Sequence, residues 1–260
     1  DPREDPREDP REDPRKDPPT MPAKIPSATK ESASRKEATQ GPGSAPSLEH
    51  VESWVFDLDN TLYPAASNLF AVIDQRMKAF IGAELGLKAD DAFRVQKDYF
   101  RKYGTTLRGL MLHHDTDPHS FLDYVHDIDL TLLAPNPELA RHLGRLEGPK
   151  IIHTNGSKNH ARKVLDRLGI GEFFTGVFDI IEADFLPKPE PAAYHHLLER
   201  YRLCAETTAL FEDLPRNLVP AAEIGMTTIW VRNDTCWAEE AKNHDHIHHV
   251  TEAVKLAAAD

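Results

Sequence analysis

From Val51 onward the chain alternates short apolar runs with stretches whose apolar residues recur at helical spacing; upstream of Val51 neither pattern occurs. Val51–Phe56, with Asp57 after it, predicts a strand over 51–57, buried on both faces as parallel strands are. Between 66 and 133 the period becomes helical. Leu69, Val72, Ile73, Met77, Phe80 and Ile81 mark one helix, stopped by Gly86. Phe93, Tyr99 and Phe100 mark a second, capped by Asp90 and ending near Gly104. Thr105–His113 predicts a third, and Asp117-Pro118 opens a fourth with an N-cap/N1 pair.

Strand-like runs return at Lys150–His153, Val177–Ile181, Thr208–Phe211 and Thr227–Val231. Helices are expected between them, from Asn136-Pro137 to about Leu146, over 157–168 up to Gly169, to about Tyr201, and over 215–224 up to Gly225. Ile247 and Val250 suggest a terminal strand before a helix at 251–258, with the histidines of 244–249 exposed. This alternation predicts an α/β fold, a Rossmann-like doubly wound parallel sheet. The expected plan is a core of 49–64 and 134–260, interrupted by a helical domain over 65–133 that sits above the end of the first strand.

Composition narrows the partners. Residues 1–16 repeat Asp-Pro-Arg-Glu, the last copy reading Asp-Pro-Arg-Lys, and contain no apolar residue for a core. The whole tail, 1–48, is expected to be disordered, and Met21 heads a plausible native start. A net charge of −12 with no long basic run argues against a nucleic-acid polymer as partner. No apolar run approaches the length of a membrane span, and two lone cysteines, Cys204 and Cys236, suit a reducing compartment. A cytoplasmic address is expected; the oligomeric state is left open.

Polar residues collect just past the strand ends. Asp57 and Asp59 flank Leu58, so on an extended backbone their side chains project the same way. Two close carboxylates at the end of a buried strand are costly unless a cation or substrate compensates. Further stations are Thr154 and Asn155, Lys188, and Glu212 with Asp213. Singly, each has a structural explanation: a turn into a helix, a solvated loop lysine, an acidic helix start. Their recurrence at successive strand ends is harder to assign to chance.

The set Asp-Leu-Asp-Asn-Thr, Thr-Asn-Gly, Lys-Pro and Glu-Asp, in this order and spacing, resembles the haloacid dehalogenase superfamily of phosphohydrolases over about 51–231. The 65–133 insert is similar to that family's α-helical cap. Leu-Tyr-Pro at 62–64, Tyr-Gly-Thr-Thr-Leu-Arg-Gly at 103–109 and Thr-Asn-Gly-Ser-Lys-Asn-His at 154–160 look like its pyrimidine 5′-nucleotidase group.

The resemblance implies that Asp57 is the nucleophile, forming an aspartyl-phosphate, and that Asp59 is the acid/base for leaving group and water. An acid at 59 argues for phosphoryl transfer over dehalogenation, because a halide leaves without a proton. It further implies Mg²⁺ as cofactor, with Asp57, Asp59 through its main-chain carbonyl, Asp213 and Glu212 as the metal set, and Lys188 as a second cation. Thr154 and the Asn155 backbone would hold the phosphate, and Thr61 the loop. Asn60 and Asn155 are expected beside sugar or phosphate. In the insert, Tyr103, Thr105, Thr106 and Arg108 are candidates to face a nucleoside, against the plainer reading of packing for Tyr103 and surface for Arg108.

The expected activity is Mg²⁺-dependent hydrolysis of phosphomonoesters, pyrimidine nucleoside 5′-monophosphates such as UMP and CMP being the favoured substrates. Alternatives are a phosphatase for a sugar phosphate or other small metabolite, a phosphomutase, and a non-catalytic phosphate-binding protein. His113-His114 and the 244–249 cluster lack a ligand framework and are assigned to structure. Lys158 is expected on a helix face.

Overall fold

The computed structural model describes residues 47–233 and 245–251. The tail to residue 46, Cys236, His244 and, beyond Thr251, the helix expected at 251–258 lie outside the described residues. Six strands form one sheet: β1 (Ser53–Phe56), β2 (Lys150–His153), β3 (Gly176–Phe178), β4 (Thr208–Glu212), β5 (Thr227–Val231) and β6 (His249–Thr251). Their order is β3-β2-β1-β4-β5-β6 and every pairing is parallel. This is a doubly wound sheet whose order reverses between β1 and β4, and ligands bind at such a reversal, outside the strands' carboxyl ends.

Alternation along β1 sorts the two faces. Trp54 and Phe56 point into a cluster with Leu139 and Leu143 of α5 (Pro137–Arg145) and Val164, Leu165 and Leu168 of α6 (Lys158–Leu168). Val55 faces the opposite way, toward Ala193, Tyr194 and Leu197 of α7 (Pro191–Tyr201) and Leu218 and Ala221 of α8 (Pro215–Glu223). Phe56 stacks on Phe211 of β4, centroids 4.7 Å apart and nearly parallel, which ties together the strands that carry the acidic residues.

Between β1 and β2 the chain forms α1 (Leu69–Leu85), α2 (Ala89–Tyr103), α3 (Thr106–His114) and α4 (Pro118–His126). They enclose a separate apolar cluster that includes Ile73, Ile81, Ala92, Leu107, Leu110, Phe121 and Val125. Caps set the boundaries: Thr105 accepts from Arg108 N at α3, Asp117 from Ser120 N at α4, Asn136 from Leu139 N at α5, and Ser157 from His160 N at α6. No helix among the described residues is long and apolar enough to cross a membrane.

Three local expectations need correction. The N-cap of α2 is Lys88, which makes no side-chain cap bond; Asp90 lies inside the first turn beside Asp91, where negative charge still favours the helix dipole. The third strand stops at Phe178, because the Asp179 carboxylate accepts from Lys158 N and Glu182 N and turns the chain. Ile180 then packs into the insert's cluster, while Ile181 is 40% exposed. The late histidines are not simply exposed: His248 accepts from Thr228 N at 2.9 Å, and the His246 ring pairs with Pro215 O.

Candidate active site

The site begins where β1 ends. Asp57 still belongs to the ladder through its N–H, which donates to Phe211 O at 2.8 Å, so its side chain leaves the sheet at the reversal point. The chain then curls: Thr61 and Leu62 both donate N–H groups to Leu58 O, and Asn60 takes a left-handed φ of +64°, which asparagine tolerates better than most residues. The Thr61 hydroxyl donates to Asp57 Oδ2 at 2.8 Å and fixes the carboxylate's rotation.

Lys188 reaches this carboxylate from the loop after β3. Its Nζ donates to Asp57 Oδ1 at 2.7 Å, to Glu212 Oε2 at 2.6 Å and to His153 O at 2.8 Å, and the residue is 1% exposed. All three ammonium protons are therefore spent. Burial pulls the ammonium's pKa down, but Asp57 and Glu212 outweigh it and hold it above the usual lysine range. Asn155 secures the lysine's backbone, accepting from Lys188 N at 2.8 Å and donating to Lys188 O at 3.2 Å. Gly104, with φ +83°, lies against the same carbonyl; a Cβ there would come within 3.1 Å of it. The turn between α2 and α3 thus rests on the lysine loop, and the Arg216 guanidinium donates to Gly104 O.

Asp57, Glu212 and Asp213 bring carboxylate oxygens within 4.8 Å of one another, all three buried. Burial first, then repulsion from Glu212, pushes Asp57 up to about 7, with Lys188 opposing the rise. Burial, Glu212 and Asp57 hold Asp213 well above the carboxylate range. The pocket is short of positive charge.

Asp59 stands apart from that group. Its Oδ1 accepts from the Tyr63 hydroxyl at 2.5 Å and from His160 Nε2 at 3.2 Å, while no described residue hydrogen-bonds its Oδ2. Burial alone would raise Asp59; His160 and Tyr63 outweigh it and hold the acid below the usual carboxylate range. The His160 ring lies parallel to that of His126, centroids 4.3 Å apart, and the His126 Nδ1 meets Ser157 Oγ at 3.1 Å. His126 ends α4, so a ring from the insert rests on the histidine that holds Asp59. Burial, then His160, push His126 down to about 3.

A cavity of about 500 Å³ opens over these groups and extends into the insert. Asp57, Asp59, Asn60, Thr154, Asn155, Lys188, Glu212, Asp213, Thr105 and Thr106 all line it. Tyr103 and Arg108 do not. The Tyr103 hydroxyl pairs with His113 Nε2 on the outer side of α2 and α3, and Arg108 serves as the residue whose N–H the Thr105 cap accepts. Thr154 Oγ1 already accepts from Gly156 N at 2.9 Å, and Thr106 Oγ1 donates to Gln96 O.

Several lining residues carried no assignment from sequence: Gln96, Asp74, Lys97, Phe70, Phe100 and Asn217. On the sequence they sit inside amphipathic helices, and nothing in the pattern says which face turns toward the strand ends. His160 had a weak signal, as the last residue of the 154–160 segment. Lys158 pairs through Nζ with Glu182 at 2.6 Å, away from the acidic group.

Comparison with known proteins adds family and fold. The profile of the haloacid dehalogenase-like hydrolases matches residues 54–225. Phosphate metabolism protein 8 of Saccharomyces cerevisiae is 31% identical over 189 residues, 66% of this chain, which spans 58% of that protein's length. A glyceraldehyde 3-phosphate phosphatase of Methanocaldococcus jannaschii is 29% identical over 69% of this chain and 84% of its own length. A phosphoglycolate phosphatase of Neisseria gonorrhoeae is 26% identical over 71% and 81%. Among solved structures, an HAD phosphatase from Thermococcus onnurineus superposes with a TM-score of 0.52 at 17% identity, covering 78% of this chain and 94% of that one.

Proposed function

We infer that this chain, which belongs to the haloacid dehalogenase-like hydrolases, is a phosphomonoesterase that works through an aspartyl-phosphate on Asp57. The observation that carries the reading is the buried Lys188 bridge between Asp57 and Glu212, open to a cavity where Asp59 is held separately with one oxygen unengaged. A carboxylate that must attack an anionic ester needs positive charge beside it and an acid in reach of the leaving oxygen. Both are supplied from different loops.

In the first half-reaction an Asp57 oxygen bonds to phosphorus as the ester P–O bond breaks, and Asp59 gives the leaving alkoxide its proton. In the second, water attacks phosphorus, Asp59 takes the water's proton, and the bond from phosphorus to Asp57 breaks. Tyr63 and His160 hold Asp59 for both transfers, and Oδ2 is the oxygen that moves the proton. Thr61 and Lys188 keep Asp57 aimed. Asn155 acts through the lysine, since both polar ends of its amide are spent on the Lys188 peptide. Thr154 and the following turn at the start of α6 are the phosphate cradle.

The donor set fits Mg²⁺: all ligands are oxygens, and burial with mutual repulsion raises the pKa of Asp57 and of Asp213, so a cation between them would be favoured. Asp57 and Asp213 would hold the ion with the Asp59 main-chain carbonyl, whereas Glu212 is engaged by Lys188 and by Leu214 N. When bound, the ion supplies Lewis-acid polarisation of the phosphoryl group and screens it from the nucleophile.

For substrate, the cavity's size and its apolar upper wall (Phe70, Met77, Phe100, Leu107) support an ester with a large leaving group, a nucleoside 5′-monophosphate above all. Relatives named for glyceraldehyde 3-phosphate and phosphoglycolate favour a second reading, a small metabolite phosphatase. The insert serves either substrate as a cap. Phosphate release across nucleotides, sugar phosphates and p-nitrophenyl phosphate, with and without Mg²⁺, tests both. Mg²⁺-dependent turnover that Asp57→Asn abolishes is the expected result; turnover surviving in that variant, with its fold checked by circular dichroism, rejects the nucleophile.

A further inference from the structure

We propose that His126, at the end of α4, is a positioning residue for Asp59: its ring, carried by the insert, aims the His160 ring that holds the acid. The inference rests on the phosphomonoesterase reading and adds that proton transfer depends on where the insert sits.

His160 donates through Nε2 to Asp59 Oδ1 at 3.2 Å, and the residue is 1% exposed. A histidine that must present one nitrogen to a partner is commonly set by a hydrogen bond at the other. Here Nδ1 is buried with no hydrogen-bond partner among the described residues, so no polar contact fixes the ring's rotation. The torsion that turns an imidazole is broad when left to itself. What lies against the ring is His126, centroids 4.3 Å apart and planes within 10° of parallel. A flat neighbour on one face narrows that rotation to the setting that points Nε2 at Asp59.

His126 is itself gripped by the start of α6. Its Nδ1 meets Ser157 Oγ at 3.1 Å, and the same oxygen accepts from His160 N at 3.3 Å. A Cβ added at Gly156 would stand 3.4 Å from His126 Nε2, so the bare glycine leaves the ring edge its room. Burial above all pushes His126 down to about 3, so the ring is uncharged at neutral pH and stacks without carrying a positive charge to its neighbour. On the other side, Leu122 and Val125 of α4 are buried in the insert's apolar cluster, so the helix carries the ring as part of the insert. No hydrogen bond joins His126 to Asp59 among the described residues, and its influence on the acid therefore passes through His160. With the insert seated, the stack holds; with the insert displaced, His160 is free to turn away from Asp59.

The test compares two substitutions of similar bulk: His126→Leu fills the space without a flat face, and His126→Phe keeps the face. His126→Leu is expected to lower kcat/KM about tenfold for the fastest alkyl ester among the nucleotides and sugar phosphates. For p-nitrophenyl phosphate, whose leaving group departs without a proton, the loss should be about twofold or less. His126→Phe should recover most of the alkyl-ester loss. Added to His160→Ala, His126→Leu should cost almost nothing more, because it acts through a ring already removed. No loss in His126→Leu, equal losses on the two esters, no rescue by phenylalanine, or penalties that multiply in the double variant would each overturn the inference and leave the phosphatase standing. Failure of the wild type to hydrolyse any phosphate ester would remove the broader reading, and this one with it. A further measurement needs no variant: with Mg²⁺ and orthovanadate present, a nuclear Overhauser contact between the ring protons of His126 and His160 is expected, and its absence overturns the proposal.

Discussion

Asp57 and Asp59 are two residues apart and chemically alike, yet their surroundings drive them in opposite directions. Asp57 shares a buried space with Glu212 and is pushed up, while Asp59 receives a tyrosine and a histidine and is pulled down. Without a cation these directions oppose the proposed roles, an ionised nucleophile at 57 and a protonated acid at 59, so the roles require a positive ion beside Asp57 and the negative charge of a bound phosphate beside Asp59 to reverse them. The two donors to Asp59 both use Oδ1, so losing one should misdirect the carboxyl group rather than remove it. His160→Ala is therefore expected to slow hydrolysis of an alkyl phosphate by about ten- to a hundredfold, within the range that general acid catalysis supplies. It should slow p-nitrophenyl phosphate much less, because that leaving group departs without a proton. His160→Gln, which keeps an N–H near the Nε2 position, should recover much of the loss. Equal losses on both esters would reduce His160 to a packing residue. Of this, only the Asp-Leu-Asp spacing and the place of His160 at the end of the 154–160 segment are legible in the sequence. A strand-end pattern gives the direction of side chains but not which partners fold back on them from residue 160.

At the level of elements, the boundaries that hinge on local chemistry were readable and those that hinge on distant packing were not. Thr105, Asp117-Pro118, Asn136-Pro137 and Ser157 announce helices through side chains that accept from the third residue on, and the structure places a cap at each. The run Val177–Ile181 predicts a strand that continues past Phe178, but Asp179 is spent on the backbone of α6 and on Glu182 N, and the strand ends there. The segment 103–109 shows how a motif can be noticed and its geometry missed. Gly104 lets the turn lie on the Lys188 loop, Thr105 caps α3, and Gly109 leaves room for Tyr99, whose Cγ would be 2.3 Å from any added Cβ. Tyr103 faces outward in consequence. Gly109→Ala should therefore force α2 and α3 apart at a cost of about 1–3 kcal/mol, the usual range for overpacking. Chemical denaturation would register it as a lower midpoint with unchanged slope. A neutral result would mean that Tyr99 moves aside freely.

For the molecule as a whole, the acidic pocket and the buried histidines act on stability in different pH ranges. His126 is held down to about 3 and His153 well below its ordinary value, both mainly by burial. A histidine kept neutral in the fold contributes stability above its unfolded pKa, near 6.5, and loses it as pH falls toward the folded value. Asp57 has the reverse sign. Its pKa rises from 3.8 to about 7 on folding, so its contribution is full below pH 3.8 and is lost as pH rises through 7. Above pH 6.5 the histidine contributions are flat and the buried carboxyl groups remain, Asp57 together with Asp213, which burial, Glu212 and Asp57 also raise. Between pH 6 and 8 the protein without metal should lose on the order of 1 kcal/mol from this acidic group. In a fold of this size such a loss appears as a fall in Tm of roughly 2–4 °C. Millimolar Mg²⁺ should remove most of that slope, since a cation among Asp57, Glu212 and Asp213 stabilises the ionised forms that burial opposes. The stabilisation should therefore be large at pH 8 and small at pH 5, where protons compete for the same oxygens. Differential scanning fluorimetry across pH, with Mg²⁺ or EDTA, reads this directly. A Mg²⁺ effect of the same size at both ends, or one that persists in Asp213→Asn, would place the ion elsewhere and detach the metal from the carboxylates at the ends of β1 and β4.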